Sequence, residues 1–306
     1  MKKLNRVFRF LVHNLILLKK YNFTGNAIPN SLVYHIDGSR LNMGLADRFR
    51  QVLGVYALAK KHNKIFKFKM TAPFDIEEYL EPRSYNWKIH DQFLSFNIFK
   101  TRLLYIGYFS KIYTEKFVSK SKKQVYLYSS THFSWVSDFG YSYKELFHEL
   151  FKPSEKINQI VANYIAEYQG WDTLHFRFIG LLGDFNERNV NILTEIEKYK
   201  LVAKCKKFVI EYLEKHKKNT FVCSGSVTFL NEIKEMPGII TVPGTPKHLD
   251  FNVGIHDKDF HKEFLDFFLI SQSDSILSVS TREMYRSDFP VFAAAINDVP
   301  FSRVQI

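Results

Sequence analysis

The sequence predicts an α/β protein built on parallel, doubly wound sheets, and three observations predict it. Between Ser31 and Met70 a β-prone run, a loop, a helix-period stretch and a second β-prone run follow in order, the signature of a βαβ unit. From Asp172 to Ile296 strand-like and helix-like segments alternate, as they do where parallel strands lie under helical layers. Between these tracts Phe151-Lys-Pro-Ser154 is a natural break, because Pro disfavours helix in the residue before it and Ser caps the helix after it. A chain of 306 residues also passes the size at which single hydrophobic cores stop growing, about 250 to 300 residues. Two domains are expected, residues 1–152 and 153–306.

The elements follow in order. Met1 to Lys20 sets basic residues around Phe8, Phe10, Leu11, Val12, Leu15, Ile16, Leu17 and Leu18, but Arg9, His13 and Asn14 break the apolar run well short of the ~20 residues a spanning helix needs. No small-residue cleavage site follows. The segment reads as a packed N-terminal helix, with a helix lying on a bilayer as the alternative. Ser31–Ile36 is a strand running into Asp37 and Gly38. Ala46 to His62 is a helix whose Phe49, Leu53, Val55, Tyr56 and Leu58 supply a buried stripe, and Lys64 to Met70 is the second strand. Residues 71–150 are aromatic and irregular, with strands expected at Leu103–Ile106 and Gln124–Ser129. The second half has clearer punctuation: Ile157 to Ile165 at helical spacing, a strand over Asp172–Ile179 and a helix over Leu193–Lys217. Strand, helix, strand, helix, strand and helix then follow at 220–223, 227–235, 238–242, 260–270, 275–279 and 285–296.

Forty-three basic against 31 acidic residues leave a net charge of +12, enough to attract polyanions, nucleotides or an anionic membrane face without choosing among them. The lysines are spread over helical stretches, as on a solvated surface. The two cysteines, Cys205 and Cys223, form no stapled framework and favour a reducing compartment. No HExxH, DxD, EF-hand loop or Cys/His cluster appears, so no metal and no cofactor is expected.

Chemistry is sought where strands give way to loops, because ligands of doubly wound sheets sit beyond the strands' carboxyl ends. In the loop from Asp37 to Arg50, Gly44 permits close approach, and the amides opening the next helix offer partial positive charge to a phosphate; a lone glycine in such a turn is equally a structural device. In Asp172-Thr-Leu-His-Phe-Arg-Phe-Ile-Gly180, period-2 alternation puts His175 and Arg177 on one face. A forked guanidinium there suits a diphosphate, or else an internal carboxylate. Ser224-Gly225-Ser226 ends a strand and opens a helix, either holding a ribose or phosphate or simply capping. Ser287 or Asp288 opens a last helix with Pro290 in its first turn.

In this order the motifs resemble those of the α-1,2, α-1,6 and protein O-fucosyltransferase superfamily, including the nodulation-type enzymes of bacteria. Gly44-Leu-Ala-Asp-Arg48 is similar to its Gly-Leu-Gly-Asp-Arg loop, and His175-Phe-Arg177 to its His-x-Arg-Arg signature. Ser224 and Ser226 fall at the second donor-binding turn, while Asp266 with Ser287-Asp-Phe289 resembles an acidic residue followed by Ser-x-Phe. Phe178 stands where the family carries its second Arg, and its Gly-Asp is displaced to Gly183-Asp184. The resemblance implies a GT-B architecture of two facing Rossmann-like domains. The first would take the acceptor side. The second would bind a nucleotide-sugar donor, GDP-fucose being favoured, and the donor-binding residues the resemblance implies are Gly44 and Arg48 from the first domain with His175, Arg188, Ser224, Ser226, Asp266, Ser287 and Phe289 from the second. It implies a metal-independent inverting transfer of fucose to a glycan or lipid-linked acceptor in surface polysaccharide synthesis. Arg177 would stabilise the leaving diphosphate, with Asp184 and Glu187 as candidate bases. The enzyme would work in the cytoplasm, with peripheral contact on the inner membrane face.

Two rivals stay open. A basic nucleic-acid-binding protein would use the charge and the aromatics, though no reader motif supports it. A sugar-nucleotide-binding protein of the same fold without activity would account for Phe178.

Overall fold

The computed structural model describes residues 2–39, 41–107, 110–129, 131, 133–185, 191–250 and 259–306. The chain forms two compact units, Met1–Lys152 and Pro153–Ile306. Each is an α/β layer structure on a parallel sheet.

The first unit runs α1 (Lys2–Leu18), β1 (Ser31–Ile36), α2 (Leu45–Lys61), β2 (Ile65–Met70), β3 (Leu80–Pro82), β4 (Thr101–Ile106), α3 (Lys111–Lys120), β5 (Gln124–Ser129), α4 (Trp135–Asp138), α5 (Tyr143–Leu150) and β6 (Phe151–Pro153). Its four-stranded sheet has the order β2-β1-β5-β4, all parallel, with β3 and β6 in a separate ladder. All six residues of β1 are buried, and Leu32 stands between Phe66 of β2 and Val125 of β5. That is why Leu-Val-Tyr-His-Ile reads as a continuous run: a strand covered on both faces has no solvent side to alternate toward. Helix α2 lays Phe49, Val52, Leu53 and Tyr56 in the core, and the Tyr34 hydroxyl donates to Gln51 Oε1 at 2.5 Å, tying β1 to the helix. Beyond β1, Gly38 has φ +77°, and a Cβ there would lie 2.9 Å from that of Ala72, so this turn requires glycine. At the sheet edge α1 covers β4: Asn14 Oδ1 accepts from Tyr105 N at 2.9 Å, the Tyr21 hydroxyl accepts from Leu103 N at 3.0 Å, and Leu17 joins Val33, Leu103 and Tyr126 in the core. Edge amides that would template another strand are thereby occupied.

The second unit runs α6 (Glu155–Tyr168), β7 (Asp172–Phe176), α7 (Glu195–His216), β8 (Thr220–Ser224), α8 (Val227–Ile233), β9 (Ile239–Ile240), α9 (His261–Ser271), β10 (Ser275–Ser280), α10 (Phe289–Ala295) and β11 (Phe301–Gln305). The strand order β11-β10-β7-β8-β9, again all parallel, places β7 at the centre, with the chain winding out to β9 on one side and to β11 on the other. The winding reverses beside β7, and its carboxyl end is the switch point where such sheets bind ligands. Leu174, Phe176, Val222, Phe229, Ile233 and Val279 form the core on one face. Helix α7 starts with a capping box in which Thr194 and Glu197 serve each other's backbone amides.

Several boundaries differ from the sequence reading. Strand β7 stops at Phe176, three residues early, because the chain turns there: Leu181 N donates to Phe178 O and Gly183 N to Gly180 O. Strand β9 keeps two residues of the expected five. The last helix opens at Phe289 instead of Tyr285, with Asp288 as N-cap and Pro290 in the first turn. Strand β11 was not anticipated; its Phe-Ser-Arg-Val-Gln is largely exposed at the sheet edge and lacks an apolar run. Among the described residues no helix is long and apolar enough to cross a membrane.

Candidate functional site

At the carboxyl end of β7 the second unit gathers its polar groups. His175, 3% exposed, is the last strand residue on the face opposite the Leu174/Phe176 core, and its Nδ1 is buried without a hydrogen-bond partner among the described residues. Burial first, and the Arg177 charge second, push its pKa down to about 3, so the imidazole is neutral near pH 7. A buried, unsatisfied nitrogen costs about 1–3 kcal/mol and is held ready for a ligand's donor or acceptor.

Arg177 follows just past the strand, half-buried. Its guanidinium lies 4.3 Å from the Phe185 ring centroid, a cation–π stack that fixes its plane. Gly225 opens the space beside it: a Cβ there would stand 3.1 Å from Arg177 Nη1. The turn carrying Gly225 is internally tied. Ser226 N donates to Ser224 Oγ at 3.1 Å, Ser226 Oγ accepts from Phe229 N at 3.1 Å, and the same hydroxyl donates to Asp184 Oδ2 at 2.7 Å. Asp184 Oδ2 also accepts from Thr228 N at 2.8 Å, while its Oδ1 is buried with no partner among the described residues. Asp184 and Ser226 thus cap α8 together and hold Gly225 against the guanidinium.

From the other side come α9 and α10. The Phe289 ring is 6.3 Å from His175 and 5.8 Å from Phe267. Next to Phe267, Asp266 is fully enclosed and pairs with Lys262 at 3.2 Å, and Lys262 Nζ also donates to Val242 O at 2.9 Å. Burial works against the Lys262 charge, but Asp266 outweighs it and the ammonium keeps its proton. Burial, reinforced by Asp266, holds the Cys223 thiol well above its usual range, so it stays protonated and donates a hydrogen bond to Asp266. Ser287 Oγ accepts from Phe289 N at 3.2 Å, ordering the start of α10.

The fold therefore brings together His175, Arg177, Asp184, Ser224, Ser226, Asp266 and Phe289, with Ser287 one turn behind. Glu187 and Arg188 lie outside the described residues. Gly44 and Arg48 belong to the first unit. Gly44 caps α2 in extended backbone (φ −72°), with no described atom within 4 Å of a Cβ placed there. Arg48 is buried, donating to Met43 O at 3.2 Å and Ala72 O at 2.9 Å, so it clamps the loop between β1 and α2. Nearby, Asp37 pairs with Lys20, and His35, pushed down to about 4 by burial, bonds the Tyr128 hydroxyl at 3.1 Å. Phe178, the residue after Arg177, is fully buried, 5.0 Å from Phe229. Sequence reasoning missed Phe185, Lys262 and Cys223 as site members. Lys262 was findable from its i,i+4 spacing to Asp266; the Phe185 stack exists only through the tertiary turn. Among the described residues no group of three or more His, Cys, Asp or Glu could hold a metal ion.

No protein-family model and no curated protein sequence matches this chain. Solved structures do. An arginine-to-lysine variant of Arabidopsis thaliana FUT1 in complex with GDP superposes with a TM-score of 0.55 at 13% identity, over 94% of this chain and 72% of that one. NodZ α-1,6-fucosyltransferase soaked with GDP-fucose gives 0.54 at 12%, over 87% and 92%. The apo form of POFUT1 gives 0.50 at 12%, over 92% and 99%. The likeness is one of fold: two parallel sheets of four and five strands, as in GT-B fucosyltransferases.

Two outcomes follow from this geometry. An arginine placed at this position, Phe178→Arg, buries an unpaired charge between Phe176 and Phe229 and lowers stability by more than about 3 kcal/mol, measured by urea unfolding. For His175 the folded pKa near 3 lies below the model-peptide 6.5, so the unfolded chain binds the extra proton in between. Its contribution is complete above about pH 6.5 and falls as the pH drops toward 3, by about 1.4 kcal/mol per unit. His175→Gln accordingly shrinks the stability difference between about pH 7 and pH 5 by about 2 kcal/mol.

Proposed function

We propose that this chain is an inverting glycosyltransferase that moves fucose from GDP-fucose to a glycan acceptor in surface polysaccharide synthesis. The observation that carries the reading is the Arg177 guanidinium, stacked on Phe185 and flanked by Gly225 at the switch point of a fold shared with fucosyltransferases crystallised with GDP or GDP-fucose.

In this reading the second unit binds the donor and the first receives the acceptor. The acceptor hydroxyl attacks the anomeric carbon as the bond to the diphosphate oxygen breaks, and negative charge grows on the leaving GDP. Arg177 meets that charge with two parallel N–H donors, in a site where burial makes each worth more than in water. No metal is needed for this step. His175 Nδ1, the Ser224–Ser226 turn, Asp266, Ser287 and Phe289 position the nucleotide. Asp184 and Glu187 are the carboxylates proposed for the acceptor proton; Asp184 Oδ2 is committed to the turn, which leaves Oδ1. The acceptor is carried on a lipid at the cytoplasmic membrane face, which suits the net charge of +12.

GDP and GDP-fucose, among GDP, UDP, ADP, CMP and their sugars, should raise the melting temperature, with or without chelator; a ligand at about 100 times its Kd adds about 2.7 kcal/mol. Arg177→Ala should lower turnover at least ~100-fold with the fold intact, and Arg177→Lys should recover little, since an ammonium does not reproduce the fork. Wild-type turnover in Arg177→Ala would remove the assignment. One observation favours a second reading: with Phe178 in the core, the end of β7 carries one arginine toward the site where the fucosyltransferase signature has two. Donor binding without any turnover in the wild-type chain would identify a sugar-nucleotide-binding protein instead.

A further inference from the structure

We propose that the outer face of α1, continued by the start of α3 and by the Phe23/Phe99 pair, docks this chain on an anionic lipid surface. The inner face of α1 is spent on the sheet edge, through Asn14 and Leu17. On the outer side Phe8, Leu11, Leu15 and Leu18, spaced three, four and three residues apart, form one stripe and are each 53–67% exposed. The stripe is extended at both ends. Phe10 stands 6.2 Å from Tyr113, which brings the first turn of α3 alongside with Ile112 almost fully open to solvent. Past the other end, Asn22 pairs with Asn97, and Phe23 and Phe99, both at least 70% exposed, sit 6.3 Å apart. Contiguous apolar exposure of this kind marks an interaction surface.

Charge selects the occupant. Residues 1–36 contain six Lys and Arg and no Asp or Glu, and residues 92–137 contain seven basic residues and one acid, Glu115, which accepts from Trp135 Nε1 at 2.7 Å; two of these cations, Lys20 and Lys111, pair with Asp37 and Asp138 just beyond, which leaves both segments with a basic excess. A second copy meeting this face about a two-fold axis would set like charge against like charge. Exposed Leu and Ile cannot stack on bases, which argues against a nucleic acid. Hydrocarbon behind anionic headgroups satisfies both features: the stripe enters the acyl boundary and the basic residues stay among phosphates, as for an interfacial helix too short and too polar to span. These residues are separate from the β7 site, so the two proposals stand or fall independently.

The test is co-sedimentation of the full chain with vesicles of phosphatidylcholine alone or with about one-third phosphatidylglycerol. The chain should pellet with the anionic vesicles at least ~tenfold more strongly than with the neutral ones, and less as salt rises. Leu11→Glu/Leu15→Glu should lose at least ~tenfold of this partitioning while circular dichroism and urea midpoint stay unchanged. If that variant folds poorly, Phe23→Ser/Phe99→Ser, which lies outside α1, should weaken binding several-fold. Wild-type protein left in the supernatant with both vesicles, folded variants that pellet like wild type, or a concentration-dependent dimer that Leu11→Glu/Leu15→Glu dissolves would each overturn the proposal.

Discussion

A strand buried on both faces has no room for an uncompensated ion along its length, and the chemistry of the second unit follows from that constraint. At the amino end of β7, Asp172 is admitted only because Lys218, Tyr212 and Ser275 all donate to it. One residue on, the Thr173 and Ser273 hydroxyls satisfy each other at 2.5 Å. His175 is tolerated as a neutral ring. A guanidinium, which cannot shed its charge, is accepted only once the strand has ended, at Arg177. Polarity along these six residues thus passes from structural saturation to an open functional end, and the parallel sheet delivers the ends of β8 and β10 to the same edge.

The first unit obeys the same rule. Tyr34 hydrogen-bonds internally, His35 is neutral, and the first charge, Asp37, comes one residue after β1, where Lys20 and Ser39 meet it. Arg48 shows the rule from the helix side. A buried cation in α2 persists because backbone carbonyls of Met43 and Ala72 receive it, which makes it a brace for the loop after β1.

How much was legible in the sequence follows from the range of the forces involved. Period-2 and helical patterns are local, so the βαβ unit, the alternation after Asp172 and the shared face of His175 and Arg177 could be read directly. Boundaries set by tertiary packing could not. Strand β7 stops where the chain turns to seat Phe178, and β11 is held by pairing with β10 instead of by its own composition. Residues 71–150 resisted ordering because their elements are fixed by long-range aromatic contacts, such as Trp87 against Phe68 and Phe151. The same holds in the site: Asp266 and Phe289 were found by motif, whereas the Phe185 stack arises only when residues 178–185 fold back.

Phe178 shows what that strand geometry permits at the end of the sheet. Residues two apart on extended backbone share a face, so Phe176 and Phe178 lie parallel within 9° and pack on Phe229, while Arg177 between them points away from the core. With the chain leaving β7 in this way, positions 177 and 178 cannot both serve one site: a cation at 178 would enter the hydrophobic core. The phenylalanine is therefore what this path of the backbone demands. Position 178 is thus closed to a second positive group for the diphosphate of the proposed donor, and the neutral His175, the Ser224–Ser226 turn and the Gly225 backbone are the polar groups that the end of the sheet holds beside Arg177.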